Sequence, residues 1–151
     1  FWGWLRGYPL WHLPVEAFAL PLALTGFVTR WRVGCAFYLA CLLGTGLTDF
    51  MILVTGLMNK WPEVVEAPLD QASGLLNEAA GLLFHVKPIA LLLIAGALIT
   101  LLAREMRQKA SDDSPFSTSW LVASAALTTT VWIDGIFLFT ALIQPKLSGL
   151  I

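Results

Sequence analysis

The stretch VGCAFYLACLLGTGLTDFMILVTGLM, from Val33 to Met58, decides the fold of this chain, because it is apolar and long enough to cross a lipid bilayer as a helix. Such a crossing needs roughly 20 predominantly apolar residues. Three further stretches meet the same requirement, each bounded by charge or proline: Leu10 to Val28, Gly81 to Ala103 and Trp120 to Ile143. The pattern therefore predicts an all-α polytopic membrane protein, a four-transmembrane-helix bundle in one membrane domain over residues 1–151.

The composition agrees with this class of protein. Hydrophobic residues make up 58% of the chain and charged residues 13%, and the mean hydropathy is +0.76, far from the balance of a soluble globular protein. The formal net charge is -1, and Lys and Arg form no long basic run. Because nucleic-acid binding requires a concentrated positive surface, the predicted partner is the lipid bilayer, with no nucleic acid.

The connections organise the four stretches into two helical hairpins. Residues Thr29 to Arg32 join the first pair, a length that forces neighbouring helices to run antiparallel. A polar connection from Arg104 to Ser119 joins the second pair. The hairpins are linked by an acidic, amphipathic connection from Asn59 to Ala80, which we expect to form short helical pieces along the membrane surface, broken by Pro62, Pro68 and Gly74. This connection either caps the bundle or offers a docking surface to a partner.

The basic residues predict the orientation of the bundle. One side of the membrane concentrates its positive charges at the helix ends, namely Arg30, Arg32, Arg104, Arg107 and Lys109. The other side carries dispersed charges, namely Arg6, Lys60, Lys87 and Lys146. The positive-inside rule therefore favours both termini on the outer side, which is lumenal or periplasmic.

Three carboxylates, those of Glu16, Asp49 and Asp134, lie inside apolar stretches. A charge at bilayer depth is costly, so such residues usually face a protein interior and are candidates for function. With a rise of 1.5 Å per residue, Asp49 and Asp134 lie about 12 Å and about 13 Å from the outer helix ends, and Glu16 about 9 Å. We therefore predict an intramembrane polar site in the outer half of the bundle. The structural alternative is that these acids only fix the register between helices.

Two threonines extend this predicted polar site. Thr45 and Thr130 each precede an aspartate by one helical turn, so each hydroxyl is placed to donate a hydrogen bond to the carboxylate that follows. A ridge of small residues on the second stretch, Ala36, Ala40, Gly44 and Thr48, is typical of a close contact between two membrane helices. Trp132, beside Asp134, either lines a pocket or packs against lipid.

The two histidines are candidate pigment or haem ligands. His12 and His85 lie at the outer ends of the first and third stretches, at similar depth. One haem with two histidine ligands, or one chlorophyll on each histidine, is therefore geometrically possible. The alternative is that both are interfacial residues at helix ends. The sequence contains no Gly-rich phosphate loop, no HExxH and no GxSxG motif, so it predicts no metal site and no catalytic residues.

Two segments carry a resemblance to a known group of proteins. LPVEAFALPLALTGF, from Leu13 to Phe27, and RWRVGCAFYLACLLGTGLTDF, from Arg30 to Phe50, resemble small, largely uncharacterised multispan proteins of cyanobacteria and plastids. The resemblance implies a photosynthetic thylakoid membrane. It also implies an accessory subunit or assembly factor of a photosystem or a related electron-transfer complex, with larger membrane-protein subunits as partners and chlorophyll or carotenoid as possible cofactors.

These observations support three functional hypotheses. The first is a non-enzymatic accessory subunit that packs beside larger membrane proteins and binds lipid or pigment. The second is a small transporter or membrane enzyme whose three carboxylates line an outward-facing acidic cavity. The third is haem-linked electron transfer through the two histidines.

Overall fold

The computed structural model describes residues 9–111 and 114–143, except for the side chains of residues 9, 10, 12, 69 and 70. The described chain is all-α, as predicted. Its α-helices are α1 Pro9–Glu16, α2 Leu20–Gly26, α3 Arg32–Val54, α4 Trp61–Glu66, α5 Leu69–Leu82, α6 Val86–Lys109 and α7 Ser117–Ile143. Short 3-10 turns occur at Ala17–Ala19 and Leu57–Asn59.

Three of these helices, α3, α6 and α7, are long and apolar enough to cross a membrane, judged by length and composition. Three such helices indicate a multi-pass integral membrane protein. They correspond to the second, third and fourth predicted stretches. The third begins later than predicted, at Val86, because residues 81 and 82 complete α5.

The first predicted crossing, Leu10 to Val28, is not one continuous helix. Its apolar helical part, Leu13–Gly26, is shorter than the three spanning helices, and the 3-10 turn Ala17–Ala19 separates α1 from α2. Pro21 explains the break, because proline has no backbone N–H to donate to the carbonyl of residue 17 and its ring collides with that carbonyl. Hydropathy alone does not detect this interruption.

Helix α7 lies at the centre of the bundle, packed along both α3 and α6. The predicted small-residue ridge forms the α3 side of this packing, since Ala36, Ala40 and Gly44 are all buried. A Cβ atom added at Gly44 would lie only 2.6 Å from the hydroxyl oxygen of Thr130 on α7. A side chain larger than hydrogen would therefore push the two helices apart.

Helices α3 and α6 converge at one end of the bundle and contact each other little elsewhere. At the convergent end, α3, α6 and α7 share a cluster of buried side chains, namely Ala36, Ala40, Ile99, Ala103, Ala123 and Leu127. The Ser124 hydroxyl of α7 donates to the Ala103 carbonyl of α6 at 2.7 Å. Towards the other end, α3 and α6 separate and leave a cavity against α7.

The acidic connection closes the open end of the bundle. Helix α3 ends at Val54, and Gly56 follows in the left-handed conformation with φ of 81°, which glycine adopts without steric cost. Helix α5 then packs on the end of α7 through a cluster of Leu57, Val64, Leu76, Ala79, Ala80, Leu83 and Ala141. The Asn77 amide donates to the carbonyls of Leu142 at 2.8 Å and Ala141 at 3.2 Å.

Two of the three predicted breaks in this connection are wrong. Gly74 lies inside α5 and does not interrupt it, because packing against α7 outweighs the low helix propensity of a single glycine. Pro62 lies in the first turn of α4, where a missing N–H costs nothing, so it starts a helix instead of breaking one. Pro68 does separate α4 from α5.

Candidate functional site

A hydrogen bond between α3 and α7 forms the polar centre of the site. The Thr48 hydroxyl donates to Oδ2 of Asp134 at 2.7 Å, and both side chains are half-buried. Thr48 is the residue on the small-residue ridge that follows Gly44 by one turn, so the close approach at Gly44 brings Thr48 against α7. Among the described residues, Thr48 is the one hydrogen-bond donor to the Asp134 side chain.

Asp134 and Thr48 lie in the wall of a cavity of about 580 Å³ between α3, α6 and α7. Almost all of the remaining wall is apolar. Met51 of α3 and Leu92 of α6 form two sides, and Leu76 of α5 lies over the open end. The site is therefore a hydrophobic chamber with a single carboxylate in its wall.

Two glycines leave space in this chamber. Gly96 on α6 and Gly135 on α7 both line it, and a Cβ atom added to either would meet nothing within 4 Å. Gly44, by contrast, has no room for a Cβ. The glycines of the spanning helices therefore have two different roles: Gly44 allows helices to touch, whereas Gly96 and Gly135 help to keep a space between them.

The cavity also opens sideways. Leu93 of α6 lines it and is 68% exposed on the outside of the bundle. Phe84, between α5 and α6, likewise lines the cavity and is exposed on the outside of the bundle. Leu93 belongs to a helix that is long and apolar enough to span a membrane, so its exposed apolar surface is suited to the hydrocarbon region.

The other two predicted acids are not in the cavity wall. Asp49 is 5% exposed within the bundle, but the described residues that line the cavity do not include it. Glu16 ends α1 and is half-buried, and its backbone carbonyl accepts a hydrogen bond from the Tyr38 hydroxyl. Of the three predicted acids, the structure thus places only Asp134 in the cavity.

The predicted partner of Asp134 is wrong. The Thr130 hydroxyl donates to the Ala126 carbonyl of its own helix at 3.2 Å, and Asp134 is bonded to Thr48 instead. A threonine inside a helix readily bonds to the carbonyl one turn before it, so spacing along one helix does not determine its partner.

Trp132 and His85 also lie away from the chamber. Trp132 is 67% exposed and outside the cavity lining, which supports the interpretation that it packs against lipid. His85 is exposed at the residue before α6. The His12 side chain lies outside the described residues. Among those that are described, no three His, Cys, Asp or Glu side chains group as metal ligands would.

Sequence reasoning placed Thr48 on the small-residue ridge but missed its hydrogen bond to Asp134, and it missed that the cavity is mostly apolar. A signal for Thr48 existed, since it continues the ridge of Ala36, Ala40 and Gly44 and precedes an intramembrane aspartate. Gly135, next to Asp134, is a similar signal, because a small residue beside a polar one leaves room for a ligand. The cavity volume itself depends on how α3 and α6 diverge, which one-dimensional spacing does not contain.

The fold and the site together define a multi-pass helical membrane protein with an apolar chamber between its spanning helices. The chain belongs to the DUF3120 family, described as a protein of unknown function, whose profile matches residues 1–142. No curated protein and no solved structure matches the chain.

Proposed function

We propose that this protein is a non-enzymatic accessory subunit of a larger membrane complex, and that it holds a hydrophobic ligand in the chamber between α3, α6 and α7. The observation that carries the proposal is an apolar cavity of about 580 Å³ with one carboxylate in its wall. Ligand sites are commonly clefts of about 300–1,000 Å³ lined by apolar side chains with a few placed polar groups. The chamber has this character.

Asp134 and Thr48 suggest which ligands would be selected. A carboxylate can accept several hydrogen bonds, and among the described residues Thr48 donates one to Asp134. A ligand that carries a hydroxyl or an amine on a hydrophobic body would provide another. The sideways opening at Leu93 suits a molecule that is already dissolved in the bilayer.

The resemblance to cyanobacterial and plastid proteins makes pigments and thylakoid lipids the first ligands to examine. In this proposal the protein lies in a thylakoid or related membrane beside the larger subunits of a photosynthetic or electron-transfer complex. Carotenoids with ring hydroxyls match the wall chemistry, since the hydroxyl would donate to Asp134 and the polyene would contact apolar side chains.

Asp134 also supports a second candidate, a transporter or membrane enzyme that moves or activates a cationic ligand at the carboxylate. The two proposals differ in their dependence on charge. Replacing Asp134 by Asn keeps the shape and a hydrogen-bonding group but removes the charge. Retained ligand after this change favours the accessory-subunit proposal, whereas complete loss favours recognition of a cation.

The proposal is tested by purifying the full chain gently from its native membrane and identifying the small molecules that copurify. We expect a pigment or lipid in a fixed ratio to protein, and a several-fold loss of it in Gly96→Leu and Gly135→Leu, which fill the cavity. Gly34→Leu and Gly46→Leu are matched controls, because a Cβ at either glycine also meets nothing within 4 Å and neither lines the cavity.

Two results would overturn the proposal: no copurifying ligand, or equal ligand loss in the control variants. The absorption spectrum of the same sample tests haem, because a Soret band would revive the electron-transfer hypothesis. Comigration with larger subunits tests the partner part of the proposal independently of the ligand.

The same proposal includes a fourth crossing by the first apolar segment, with both termini on the lumenal or periplasmic side. Helices α1 and α2 continue each other across the 3-10 turn, and α2 packs against α3. Labelling of single cysteines from each side of the membrane tests this topology, with Val28 and Val86 as exposed positions at opposite ends of the bundle. The native Cys35 and Cys41 must first be replaced by Ser.

A further inference from the structure

Three aromatic rings form a cluster at the convergent end of the bundle, where α2, α3 and α7 meet. Phe27 stacks on Phe116 with ring centroids 5.8 Å apart, and the edge of Trp120 meets Phe27 at 6.2 Å. Phe27 lies just after α2, whereas Phe116 and Trp120 lie at the start of α7. We call these three rings the aromatic platform. The aromatic platform joins the connection between α2 and α3 to the connection between α6 and α7.

Two cations flank the aromatic platform. The guanidinium of Arg32 lies 5.5 Å from the ring centroid of Phe116, and the ammonium of Lys109 lies 5.3 Å from that of Trp120. Arg30 has a similar position over Trp31, at 5.3 Å. Contact with a ring face holds a cation without neutralising its charge, so these side chains are positioned and still positive.

The positive charge of this end is not balanced by acids of the described chain. Arg30, Arg32, Arg104, Arg107 and Lys109 form no ion pair with a described carboxylate. Glu105 is the one acid of this end among the described residues, while Asp112 and Asp113 lie outside them. The first turns of α3 and α7 contain no acidic residue to offset their positive helix ends.

The surroundings of this end are apolar. Trp31 is 67% exposed beside the start of α3, the position that interfacial tryptophans occupy at the level of lipid headgroups. Directly along α3, Val33 and Phe37 are exposed on the outside of the bundle. An anion bound by Arg32 would therefore have an apolar helix surface immediately next to it on the membrane side.

We infer that the cations around the aromatic platform bind the headgroup phosphate of an anionic phospholipid. The phosphate would accept hydrogen bonds from Arg32 and Lys109, with the positive ends of α3 and α7 adding to the attraction. The acyl chains would lie along Val33 and Phe37. The adjacent apolar surface favours a lipid over a free phosphate or a soluble acidic protein, since neither of these would extend along the part of α3 that lies in the membrane.

The full chain is reconstituted in vesicles of phosphatidylcholine with a minor fraction of phosphatidylglycerol, extracted in mild detergent and examined by native mass spectrometry. We expect phosphatidylglycerol to be retained in clear preference to phosphatidylcholine. Replacing Arg32 and Lys109 together by Gln should reduce that retention several-fold. Replacing Lys60 and Lys87 together by Gln removes the same charge elsewhere and should leave retention unchanged.

Two further measurements separate the possible outcomes. Phe116→Leu keeps every charge but removes the ring under Arg32, so it should weaken retention of phosphatidylglycerol. This variant tests the inference independently if the Arg32 and Lys109 double variant fails to fold. Inorganic phosphate added during extraction should not displace the lipid. Equal retention of both lipids, equal loss in both double variants, or displacement by inorganic phosphate would each overturn the inference. None of these results depends on the cavity ligand.

Discussion

The Thr48 hydroxyl donates to the Asp134 carboxylate at 2.7 Å across the interface of α3 and α7. This bond joins the second and last of the predicted crossings at one depth and places one charged group in the wall of the cavity. Removing the hydroxyl should weaken the interface while leaving its shape intact. Hydrogen bonds between membrane helices contribute about 0.6 kcal/mol on average and about 1.7 kcal/mol at most.

We therefore predict that Thr48→Val lowers the free energy of unfolding by about 1 kcal/mol. Unfolding in mixed detergent micelles measures this change. Thr129→Val is the matched control, because Thr129 is exposed and its hydroxyl bonds to the Ala125 carbonyl of its own helix, at 2.9 Å. In a double-mutant cycle with Asp134→Ala, Thr48→Val should cost little once Asp134 is absent. Full additivity would show that the bond does not contribute.

Gly44→Ala should destabilise the bundle, since the new Cβ would lie 2.6 Å from the hydroxyl oxygen of Thr130. Overpacking of this kind costs about 1–3 kcal/mol. Gly46→Ala on the same helix meets nothing within 4 Å and should be neutral or slightly stabilising. Micelle unfolding of both variants gives the comparison.

A second-site change sharpens the Gly44 prediction. Thr130→Ala removes the hydroxyl and the methyl group that Gly44→Ala would meet, so the double variant should recover part of the lost stability. Without such recovery, the contact with Thr130 would not be the cause of the loss.

Asn77→Ala should loosen the cap over the cavity. The Asn77 amide bonds to the carbonyls of Leu142 and Ala141, in the last described turn of α7. We expect a loss of about 1 kcal/mol and faster backbone hydrogen exchange throughout α5. Gln71→Ala, an exposed change on the same helix, should leave the exchange rates unchanged.

Pro21→Ala should repair the break between α1 and α2. Alanine restores the N–H that can bond to the carbonyl of residue 17 and removes the colliding ring. Residues 17–19 should then join one continuous helix, which slower hydrogen exchange at these residues would report. Pro68→Ala is a suitable comparison, because Ala67 and Pro68 both have extended ψ angles, 147° and 148°, so we expect this break to persist. Unchanged exchange at residues 17–19 would mean that tertiary contacts, and not Pro21, impose the break.

Hydropathy predicted the spanning helices well because an apolar segment of sufficient length has few alternatives in a bilayer. The α3 ridge also predicted a close helix contact, because Ala36, Ala40 and Gly44 repeat on one face, but it did not identify α7 as the partner. The break at Ala17–Ala19 was missed, because it depends on backbone hydrogen bonding around Pro21 and not on polarity. The break predicted at Gly74 is wrong for a related reason: α5 is stabilised by contacts with α7, which is far away in the sequence.

The candidate site was harder to predict than the fold. Asp134 was identified because its charge is out of place in an apolar stretch. Its partner was not, because the donor, Thr48, belongs to another helix, and spacing along one helix does not reveal contacts between helices. Asp49 was predicted to share the site with Asp134, but it does not line the cavity. It follows the cavity-lining Thr48 by one residue, and one residue along a helix is enough to turn its side chain in another direction.

The central position of α7 has a consequence for biosynthesis. Membrane helices leave the ribosome in chain order, so α3 and α6 enter the bilayer before the helix that holds them together. Until α7 arrives, the Thr48 hydroxyl lacks its carboxylate and the Gly44 groove faces lipid. The bundle is therefore complete only after its last spanning helix is inserted. A nascent chain that stops before Ser117 would expose the unpaired face of α3 to the cell's quality-control machinery.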